Sequence, residues 1–520
     1  VNQVAEDDGL TLDAVRADPM TALTDAADSA LGAAYGAVFD TADDVPETYL
    51  FDFDLPPETP IYLMNHHEAH AASAYYFSGH DDALVLTLDG RGDGLSGTLW
   101  QGQGGSLEAL RAWGKDGSLG WFYGTVTQAL GFWPNNGEGK VMGLASYADP
   151  DPEVMAKLEQ ILPRYEDGDL VEPYDFGSPT KVRYMDSNIW SYDEDDVAFV
   201  ESLIEGYDRE VVAASAQRLT ERQVMNIVRP WIERTGATHL ATAGGIFLNV
   251  TINRRILQGD LGLDDYFIFP AAGDGGLPAG AAINAYRHHD SSFTPTRLTN
   301  AYFGTDISND IEPTLDARKL GFEKPSNLVE RCAELIADGK LLAWCQGRME
   351  YGPRALGNRS IVVDPTNRDS VDRVNKTVKF REPWRPFAPS VIEEAAEEYF
   401  DGITYDPFMI TSCDVREDKR DEVPAITHVD GTARPQVVRR SVNERYWRLI
   451  DAFGQRTGTP LVLNTSYNLS GEPIVNSVRD AIKTFYDCGL DALVIGDYLL
   501  EKEPTRQRSP IPDDEMVSQD

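Results

Sequence analysis

Short apolar runs alternate with glycine-rich turns and helical segments along most of the chain. The run ALVLTLDG (83–90) is typical of a buried strand that ends in a turn, and THLATAGG (238–245) and DYFIFPAAGDGG (265–276) repeat that arrangement. A helix is predicted after each of the two later turns, and another over the segment that begins with NHHEAH (65–70). Strands whose glycine-rich ends lead into helices indicate an α/β domain that binds ligands at the carboxyl ends of its strands.

A second unit is predicted in the C-terminal part of the chain. Helix-like VERCAELIADG is followed by strand-like KLLAWCQG, which starts an α/β or α+β domain. Residues 298–326 are polar and contain proline, so they are predicted to link residues 1–297 to residues 327–500. The tail 501–520 is predicted to be loose. The Ala-rich stretch 22–39 is expected to be helical, and the acidic stretch 148–200 is expected to be an insertion.

The net charge of −39 changes the picture of the surface. Repulsion between the acidic side chains destabilises the folded state, and high salt screens that repulsion. The charge therefore favours a protein from a halophile's salt-rich cytoplasm over an ordinary acidic protein. The charge also disfavours nucleic acid and anionic lipid as partners. Since no apolar run reaches about 18 residues, no transmembrane helix is expected. Four cysteines without a CxxC pair predict isolated thiols in a reducing compartment, so a cytoplasmic location is expected.

Three of the eight histidines fall within five positions, at His66, His67 and His70. On a helix, His66 and His70 would share one face and could bind one metal ion. Asp89 and Asp274 each stand in a glycine-rich turn after an apolar strand, where carboxylates would face a ligand cleft. Two histidines and two aspartates would suit Fe(II), Mn or Zn. The alternatives are a surface or capping histidine cluster and turn-forming aspartates.

Three glycine-rich loops are candidates for phosphate binding. They are GEGKVMGLASY (137–147), AGGIFLN (243–249) and AAGDGGLPAG (271–280). Such loops let backbone N–H groups and a helix N-terminus meet a phosphate. None matches the Walker or the Rossmann pattern, but together they resemble the paired phosphate and adenosine loops of actin-like ATPase folds.

A basic segment interrupts the acidic sequence between residues 345 and 385. It contains nine basic and five acidic residues. Arginines in such a cluster suit phosphates and carboxylates, because the guanidinium binds them in a bidentate manner. The loops THVDGTARPQVV (427–438) and NTSYNLSGEPIV (464–475) could add Arg434, Asn464 and Ser466 to the same ligand site. The alternative is a set of surface salt bridges.

These motifs resemble, in order, those of the NodU/CmcH carbamoyltransferase family. The resemblance rests on NHHEAH, LTLDG, GEGKVMGLASY, GGIFLN, GDGG, GRMEYGPRALGNRS, KFREPWRPFAPS, THVDGTARPQ and NTSYN..GEPIV. It implies a TsaD-like unit of the actin-like ATPase fold, followed by a YrdC-like unit. The YrdC-like unit would form carbamoyl-adenylate from carbamoyl phosphate and ATP, with Mg for ATP. The TsaD-like unit would transfer the carbamoyl group to a hydroxyl of a small molecule or glycan, beside a metal that is usually iron.

The resemblance also implies roles for particular residues of this chain. The metal ligands would be His66, His70, Asp89 and Asp274. Carbamoyl phosphate would contact Arg354, Lys379, Arg385 and Arg434. The nucleotide-binding residues would be Lys140, Gly244, Gly245, Asn249, Gly275, Gly276, Asn464 and Ser466. A nearby histidine would take the acceptor proton, and His67 is the candidate. The oligomeric state stays open.

The family's usual N-terminal hairpin, with its Gly-x-x-His-type motif, has no match at the start of this sequence, so an incomplete first sheet is expected. This leaves a non-catalytic binder of carbamoyl phosphate or nucleotide as an alternative. A tRNA-threonylcarbamoylation-like enzyme is a second alternative, against which the net charge stands. A metalloprotease is a third, although HHEAH lacks the glutamate position of HExxH.

Overall fold

The computed structural model describes residues 36–39 and 61–502, apart from 185–186, 291, 383, 386 and 404. The strands are β1 (Gly36–Phe39), β2 (Ile61–Met64), β3 (Asp82–Gly92), β4 (Leu95–Gln103), β5 (Ser106–Gly114), β6 (Arg164–Glu166), β7 (Asp169–Glu172), β8 (Thr180–Tyr184), β9 (Ser187–Ser191), β10 (His239–Ala243), β11 (Asp265–Ile268), β12 (Leu342–Cys345), β13 (Arg359–Val363), β14 (Ala388–Ile392), β15 (Phe400–Asp401), β16 (Cys413–Val415), β17 (Thr432–Ala433), β18 (Gln436–Val438), β19 (Leu461–Ser466), β20 (Ala492–Ile495) and β21 (Tyr498–Glu501). The α-helices are α1 (His66–Ser78), α2 (Leu119–Ala129), α3 (Glu138–Leu144), α4 (Pro152–Leu158), α5 (Glu194–Ile204), α6 (Arg209–Thr235), α7 (Val250–Leu257), α8 (Leu277–His289), α9 (Ile311–Ala317), α10 (Leu328–Ala337), α11 (Asp369–Val374), α12 (Ala396–Tyr399), α13 (Glu444–Thr457) and α14 (Val478–Asp487). Among the helices described, none is both long and apolar enough to span a bilayer.

The first sheet has five strands in the order β11-β10-β3-β4-β5. Strand β10 is parallel to both β3 and β11, whereas β3, β4 and β5 are antiparallel to one another. The stretch of β3 from Ala83 to Leu88 is buried without alternation, which is typical of a strand covered on both faces. The three parallel strands therefore end at one edge, where Asp89 and the loops 243–249 and 271–280 lie.

The second sheet has seven strands in the order β18-β14-β19-β13-β12-β20-β21. It is mixed, since β12 is parallel to β20 and antiparallel to β13. A second apolar core surrounds it and includes Trp344, Ile361 and Leu463, while the first core surrounds the first sheet. Sheets combined with helices in both halves of the chain confirm the predicted α/β and α+β fold class.

Most of the predicted elements are present, and some segments differ from the expectation. The helix at NHHEAH is α1, and the three apolar runs form β3, β10 and β11. Residues 36–39, the end of the stretch expected to be helical, form β1, which pairs with β2; residues 22–35 lie outside the described residues. The predicted linker 298–326 contains α9, whose Ile311 and Leu315 are buried in the second core. The tail beyond residue 502 is also outside the described residues.

The two halves of the chain contact each other through a segment that precedes β16. Its residues Met409 and Ile410 are buried in the first core. The Nδ2 of Asn253, on α7, donates to the Ile410 carbonyl oxygen at 2.7 Å. Nearby, Arg254 forms an ion pair with Asp414 at 2.5 Å. The C-terminal half is therefore anchored on α7, the helix that follows the glycine loop after β10.

Candidate functional site

Two histidines and two aspartates converge at the carboxyl edge of the first sheet. The Oδ2 atom of Asp89 lies 3.2 Å from His66 Nε2 and 3.0 Å from His70 Nε2. The Oδ1 atom of Asp274 lies 3.5 Å and 3.6 Å from the same two nitrogens. One ligand atom from each side chain lies within 4.8 Å of all the others. Two imidazole nitrogens and two carboxylate oxygens at this spacing fit a divalent transition metal.

A helix cap and close glycine contacts position these side chains. Asn65 caps α1, and its Oδ1 accepts the backbone N–H of His67 at 2.9 Å. A Cβ atom at Gly92 would lie 2.1 Å from Cγ of His66, and one at Gly245 would lie 2.8 Å from Oδ1 of Asp89. Any side chain at either glycine would therefore displace a candidate ligand.

The site combines buried negative charge with one open side. Burial raises the pKa of Asp89, but hydrogen bonds from His66 and His70 outweigh it and hold that pKa well below its usual range. Burial lowers the pKa of His70, yet the hydrogen bonds to Asp274 and Asp89 raise it to about 9. The His70 side chain is fully buried, whereas that of Asp274 is 73% exposed. The same potential that holds a proton on His70 would attract a divalent cation.

His67 lies behind this group and does not face it. Its Nδ1 lies 2.8 Å from Thr87 Oγ1, and its Nε2 lies 3.2 Å from the Leu95 carbonyl oxygen. Burial, together with the charges of His66 and His70, lowers the pKa of His67 to about 3. Since both ring nitrogens have partners inside the core, the geometry does not support the predicted role of His67 as the base that takes the acceptor proton.

The two glycine loops that follow β10 and β11 lie side by side. The backbone N–H of Gly244 donates to the Ala272 carbonyl at 2.6 Å. Gly244 has a φ of 102°, and a Cβ atom there would lie 2.1 Å from the Leu88 carbonyl oxygen. The loop after β11 contains two further glycines that are predicted to contact the nucleotide. A Cβ atom at Gly276 would lie 2.2 Å from the Ala271 carbonyl oxygen, whereas a Cβ atom at Gly275 would meet no other atom within 4 Å. Glycine at 244 thus lets the loop pack against the end of β3.

The other nucleotide candidates of this half already have polar partners. The Oδ1 of Asn249 accepts the backbone N–H of Thr251 and of Ile252 at 3.2 Å, which caps α7. Its Nδ2 donates to Gln217 Oε1 at 2.8 Å. Lys140, on α3, has its Nζ 3.0 Å from Oε1 of Glu382 in the other half of the chain. Asn249 therefore shapes the loop, and Lys140 links the two halves.

A second cluster consists of five cations of the C-terminal half: Arg354, Lys379, Arg381, Arg385 and Arg434. Burial, reinforced by a neighbouring cation, lowers the pKa of Arg354 to about 10, of Arg381 to about 9 and of Lys379 to about 7. Burial and then the charge of Arg354 hold the pKa of Arg434 well below its usual range. Desolvated cations that repel one another are stabilised by an anion, and guanidinium groups fit phosphate geometry.

Lys379 ends a π-helical turn, Asn375–Lys379, and reaches the end of β19. Its Nζ lies 3.1 Å from Ser466 Oγ and 2.7 Å from Asn468 Oδ1. It also lies 2.5 Å and 3.1 Å from the carbonyl oxygens of the same two residues. All four acceptors are neutral, so they hold the ammonium group without cancelling its charge.

The loop that carries Arg354 is closed by Glu350. Its Oε1 accepts the backbone N–H groups of Leu356 and Asn358 at 2.7 Å and of Arg359 at 3.1 Å. Asn464 Nδ2 adds a hydrogen bond to the Ala355 carbonyl at 3.1 Å. With its backbone held in this way, the loop leaves the Arg354 guanidinium without a hydrogen bond or ion pair to any described residue.

Arg359 belongs to the basic segment of the sequence, but it has a structural role. Its side chain is fully buried and donates to the backbone carbonyls of Gln346 at 2.6 Å and Gly347 at 3.1 Å. A weaker contact at 3.2 Å reaches the Thr305 carbonyl in the predicted linker. Arg359 therefore stabilises the backbone around the cation cluster and is not part of the cluster itself.

The comparisons with known proteins cover both halves of the chain. The family model "Carbamoyltransferase N-terminus" matches residues 44–283, and "Carbamoyltransferase C-terminus" matches residues 333–502. Nodulation protein NolO of Bradyrhizobium diazoefficiens is 40% identical over 450 residues, which are 85% of this chain and 79% of that protein. The chain belongs to the carbamoyltransferase family.

This chain spans less than two thirds of the length of some other relatives. Nodulation protein NolNO of Sinorhizobium fredii is 41% identical over 85% of the chain, and the chain spans 64% of its length. The 3'-hydroxymethylcephem-O-carbamoyltransferase of Streptomyces clavuligerus is 32% identical over 70% of the chain and 64% of that enzyme. Among solved structures, full-length HypF in its phosphate- and nucleotide-bound form has a TM-score of 0.24 at 15% identity, and covers 48% of this chain and 46% of its own. That likeness is too low to bear on the fold.

Three residues of the candidate site are not predicted from the sequence. Asn468 accepts a hydrogen bond from Lys379, beside Ser466. Its position two residues after Ser466 in NTSYN is the feature of the sequence that could have indicated this role. Arg381 donates its Nε to Asn375 Oδ1 at 2.9 Å and lies 4.2 Å over the Phe387 ring. Glu350 stood in GRMEYGPR, but an isolated glutamate gives no sign that its carboxylate accepts three backbone N–H groups.

Proposed function

We propose that this protein is an ATP-dependent O-carbamoyltransferase. In this proposal, carbamoyl phosphate, ATP and one water form carbamoyl-adenylate at the cation cluster, with release of inorganic phosphate and pyrophosphate. The carbamoyl group then passes to a hydroxyl of a small molecule or glycan at the His/Asp site of the N-terminal half. The relatives support a hydroxyl acceptor, because one of them is named as an O-carbamoyltransferase of a hydroxymethyl group.

The cluster of five cations is the observation that carries the proposal. Carbamoyl phosphate is a small dianion, and charge builds up on its phosphate as that group departs. Arg354, Lys379 and Arg434 would bind the dianion and stabilise that charge, because preformed donors in a desolvated site act strongly. Burial lowers the pKa of each of these groups, and a bound phosphate would offset that effect by favouring their charged forms.

The N-terminal half would supply the transfer site. His66, His70, Asp89 and Asp274 would hold a divalent metal, most simply Fe(II) given the mixed nitrogen and oxygen donors. When bound, the metal would polarise the carbamoyl carbonyl and hold the nucleotide. The glycine loops after β10 and β11 keep side chains out of the space beside Asp89, so a ligand can approach the backbone there.

The ion pair between Lys140 and Glu382 supports a short path between the two sites. Glu382 lies 3.9 Å from Nη1 of Arg385, a member of the cation cluster, and 3.0 Å from Nζ of Lys140 on α3. The Tyr147 hydroxyl, just after α3, donates to the Trp384 carbonyl at 3.2 Å. The loop of the cation cluster therefore lies against the N-terminal half, as transfer of a reactive adenylate requires.

Pyrophosphate release from ATP tests the proposal directly. We expect release in molar KCl that depends on carbamoyl phosphate, and its loss by at least about a hundredfold in Arg354→Ala, since one buried charge-assisted contact to a departing phosphate contributes about 3 kcal/mol. Arg359→Lys is unsuitable as a control because Arg359 supports the backbone. Arg440→Ala is suitable, because Arg440 is exposed and its contacts, an ion pair with Glu444 and a position over the Trp447 ring, are both with α13.

The expected results separate the enzyme from a binding protein. Equal release by wild type and Arg440→Ala, together with loss in Arg354→Ala at unchanged thermal stability, would support the half-reaction. ATP binding without pyrophosphate release in any condition would contradict the proposal and favour a nucleotide-binding protein without activity.

A further inference from the structure

The cation cluster is rich in hydrogen-bond donors and poor in acceptors. Arginine and lysine side chains only donate, and these groups suit the oxygens of carbamoyl phosphate. The carbamoyl group, however, also carries an NH₂ group with two donors. An acyl phosphate such as acetyl phosphate has the same shape with a methyl group in that place. A site that distinguishes the two needs an acceptor for the amide.

His428 provides an unused acceptor beside the cluster. Its Nε2 is buried and has no hydrogen-bond partner among the described residues. The ring hydrogen-bonds the backbone carbonyl of Phe387, whose own ring lies 4.2 Å from the guanidinium of Arg381. His428 stands in the same loop as Arg434, whose positive charge acts on the imidazole.

The protonation state of His428 follows from these contacts. A carbonyl oxygen can only accept, so the ring nitrogen that faces Phe387 carries the proton, and Nε2 keeps its lone pair. Burial, with the charge of Arg434, lowers the pKa of His428 to about 4, although Asp430 opposes the shift. The ring is therefore neutral near pH 7. The side-chain Nε of Arg434 is likewise buried without a partner, so an unused donor and an unused acceptor belong to neighbouring groups.

We propose that Nε2 of His428 accepts a hydrogen bond from the carbamoyl NH₂ group, and that it thereby selects carbamoyl phosphate against acyl phosphates that lack this amide. This inference rests on the proposed function, since it assigns the carbamoyl end of the substrate to a site whose phosphate end the arginines and Lys379 bind. His428 would act as a specificity-determining residue that touches the substrate.

Physical chemistry gives this acceptor a large effect on specificity. A buried site built to bond an N–H group rejects an analogue without it, because the acceptor is then left unpaired in a desolvated place. Such an unpaired group costs about 1–3 kcal/mol, which corresponds to about fivefold to about 150-fold in affinity. The cation cluster alone would bind both phosphates about equally, since it contacts only what they share.

Two stable analogues test this without turnover. Phosphonoacetamide keeps the carbamoyl NH₂, and acetonylphosphonate replaces it by a methyl group. We expect wild type to bind phosphonoacetamide at least about fivefold more tightly by calorimetry, and His428→Phe to bind both with similar affinity. His428→Gln, which places an amide oxygen in the same region, should retain part of the preference and guards against a folding defect in His428→Phe.

Arg354→Ala is the matched control, because it removes a phosphate contact. It should weaken both analogues alike and leave their ratio unchanged, whereas His428→Phe should bring the ratio close to one. A ratio near one in wild type, or an unchanged ratio in His428→Phe, would overturn the inference. Pyrophosphate release by wild type distinguishes failure of the proposed function from failure of the role of His428. If wild type releases pyrophosphate but binds the two analogues equally, the role of His428 is contradicted and the proposed function still stands.

Discussion

The backbone at Gly245 lies so close to Asp89 that a methyl group on Gly245 would lie 2.8 Å from Asp89 Oδ1. This distance is shorter than van der Waals contact, so Gly245→Ala must move the carboxylate. Because Asp89 also hydrogen-bonds His66 and His70, the whole donor set should loosen. We expect Gly245→Ala to lower the affinity for Fe(II) or Mn(II), measured by calorimetry, by at least about tenfold, as changes beside metal ligands commonly do.

Gly275→Ala provides the control for this substitution. Gly275 belongs to the neighbouring glycine loop, but a Cβ atom there meets nothing within 4 Å. It should leave metal affinity and thermal stability unchanged. Equal metal affinity in Gly245→Ala and wild type would contradict the role of Asp89 as a ligand.

Removing a ligand should remove the metal itself. His70 is fully buried and lies within hydrogen-bond distance of Asp89. His70→Ala therefore removes one of the four candidate ligands at a position that exposed side chains cannot reach. We expect metal content, measured by inductively coupled plasma mass spectrometry after purification with Fe(II) or Mn(II), to fall to less than about a tenth of wild type. His80→Ala is the control, because His80 pairs with Asp265 at 2.6 Å, away from the site. Full metal content in His70→Ala would contradict the proposed site.

Local pattern was sufficient to predict the elements that hold the site. The buried run of β3 and the helix at NHHEAH are both visible over a few residues, because their periodicity depends on near neighbours in sequence. The convergence of Asp89 with Asp274 is different. It depends on the parallel pairing of β10 with β3 and β11. Pairing between strands that are far apart in the chain cannot be predicted from a short stretch of sequence.

Residue roles that depend on burial were the least predictable. His67 and His70 are both buried histidines of one helix, yet His67 bonds Thr87 and Leu95 whereas His70 faces Asp89. Arg359 has the same charge as Arg354 and lies in the same motif, but its guanidinium binds backbone carbonyls. Composition and spacing do not distinguish such pairs, because the difference lies in which side of the chain faces the core.

Glu382 is a carboxylate next to the cation cluster, and its removal should favour anion binding. Its Oε2 lies 3.9 Å from Arg385, so it competes with a bound phosphate for that guanidinium. Both side chains are about one-third exposed, and such pairs contribute about 0.2–1 kcal/mol. We therefore expect Glu382→Gln to lower the Kd for phosphonoacetamide by about two- to fivefold. Glu393→Gln, which breaks a pair with Arg439 at similar exposure, should leave that Kd unchanged. Weaker binding in Glu382→Gln would contradict the competition.

The acidic composition predicts stabilisation by salt. With 85 acidic and 46 basic residues, repulsion between carboxylates opposes the compact state. The screening length falls from about 10 Å at 0.1 M to about 3 Å at 1 M salt, so the repulsion should fade in that range. We expect the thermal midpoint, followed by circular dichroism, to rise steadily from 0.1 to 2 M KCl. Sucrose of equal osmolality is the control for general exclusion effects, and an equal rise in sucrose would contradict the electrostatic cause.

Lys379 should give the binding of carbamoyl phosphate a pH dependence. Burial, followed by the charges of Arg381 and Arg385, lowers its pKa to about 7, although Cys488 opposes the shift. The ammonium group is the form that attracts phosphate, and it is lost as the pH rises through 7. A bound dianion would raise this pKa, so the Kd for phosphonoacetamide should increase with pH above 7, by up to about tenfold per unit.

Lys379→Arg isolates this effect from the titration of other groups. Arginine stays charged over the accessible pH range, so the variant should lose the slope above pH 7. Its binding should also be weaker at pH 6 by about tenfold or more, since a planar guanidinium cannot reproduce the four contacts that Nζ makes with Ser466 and Asn468. Calorimetric titrations between pH 6 and 9 at constant ionic strength measure both quantities. A slope that persists unchanged in Lys379→Arg would place the titrating group elsewhere in the protein or on the ligand.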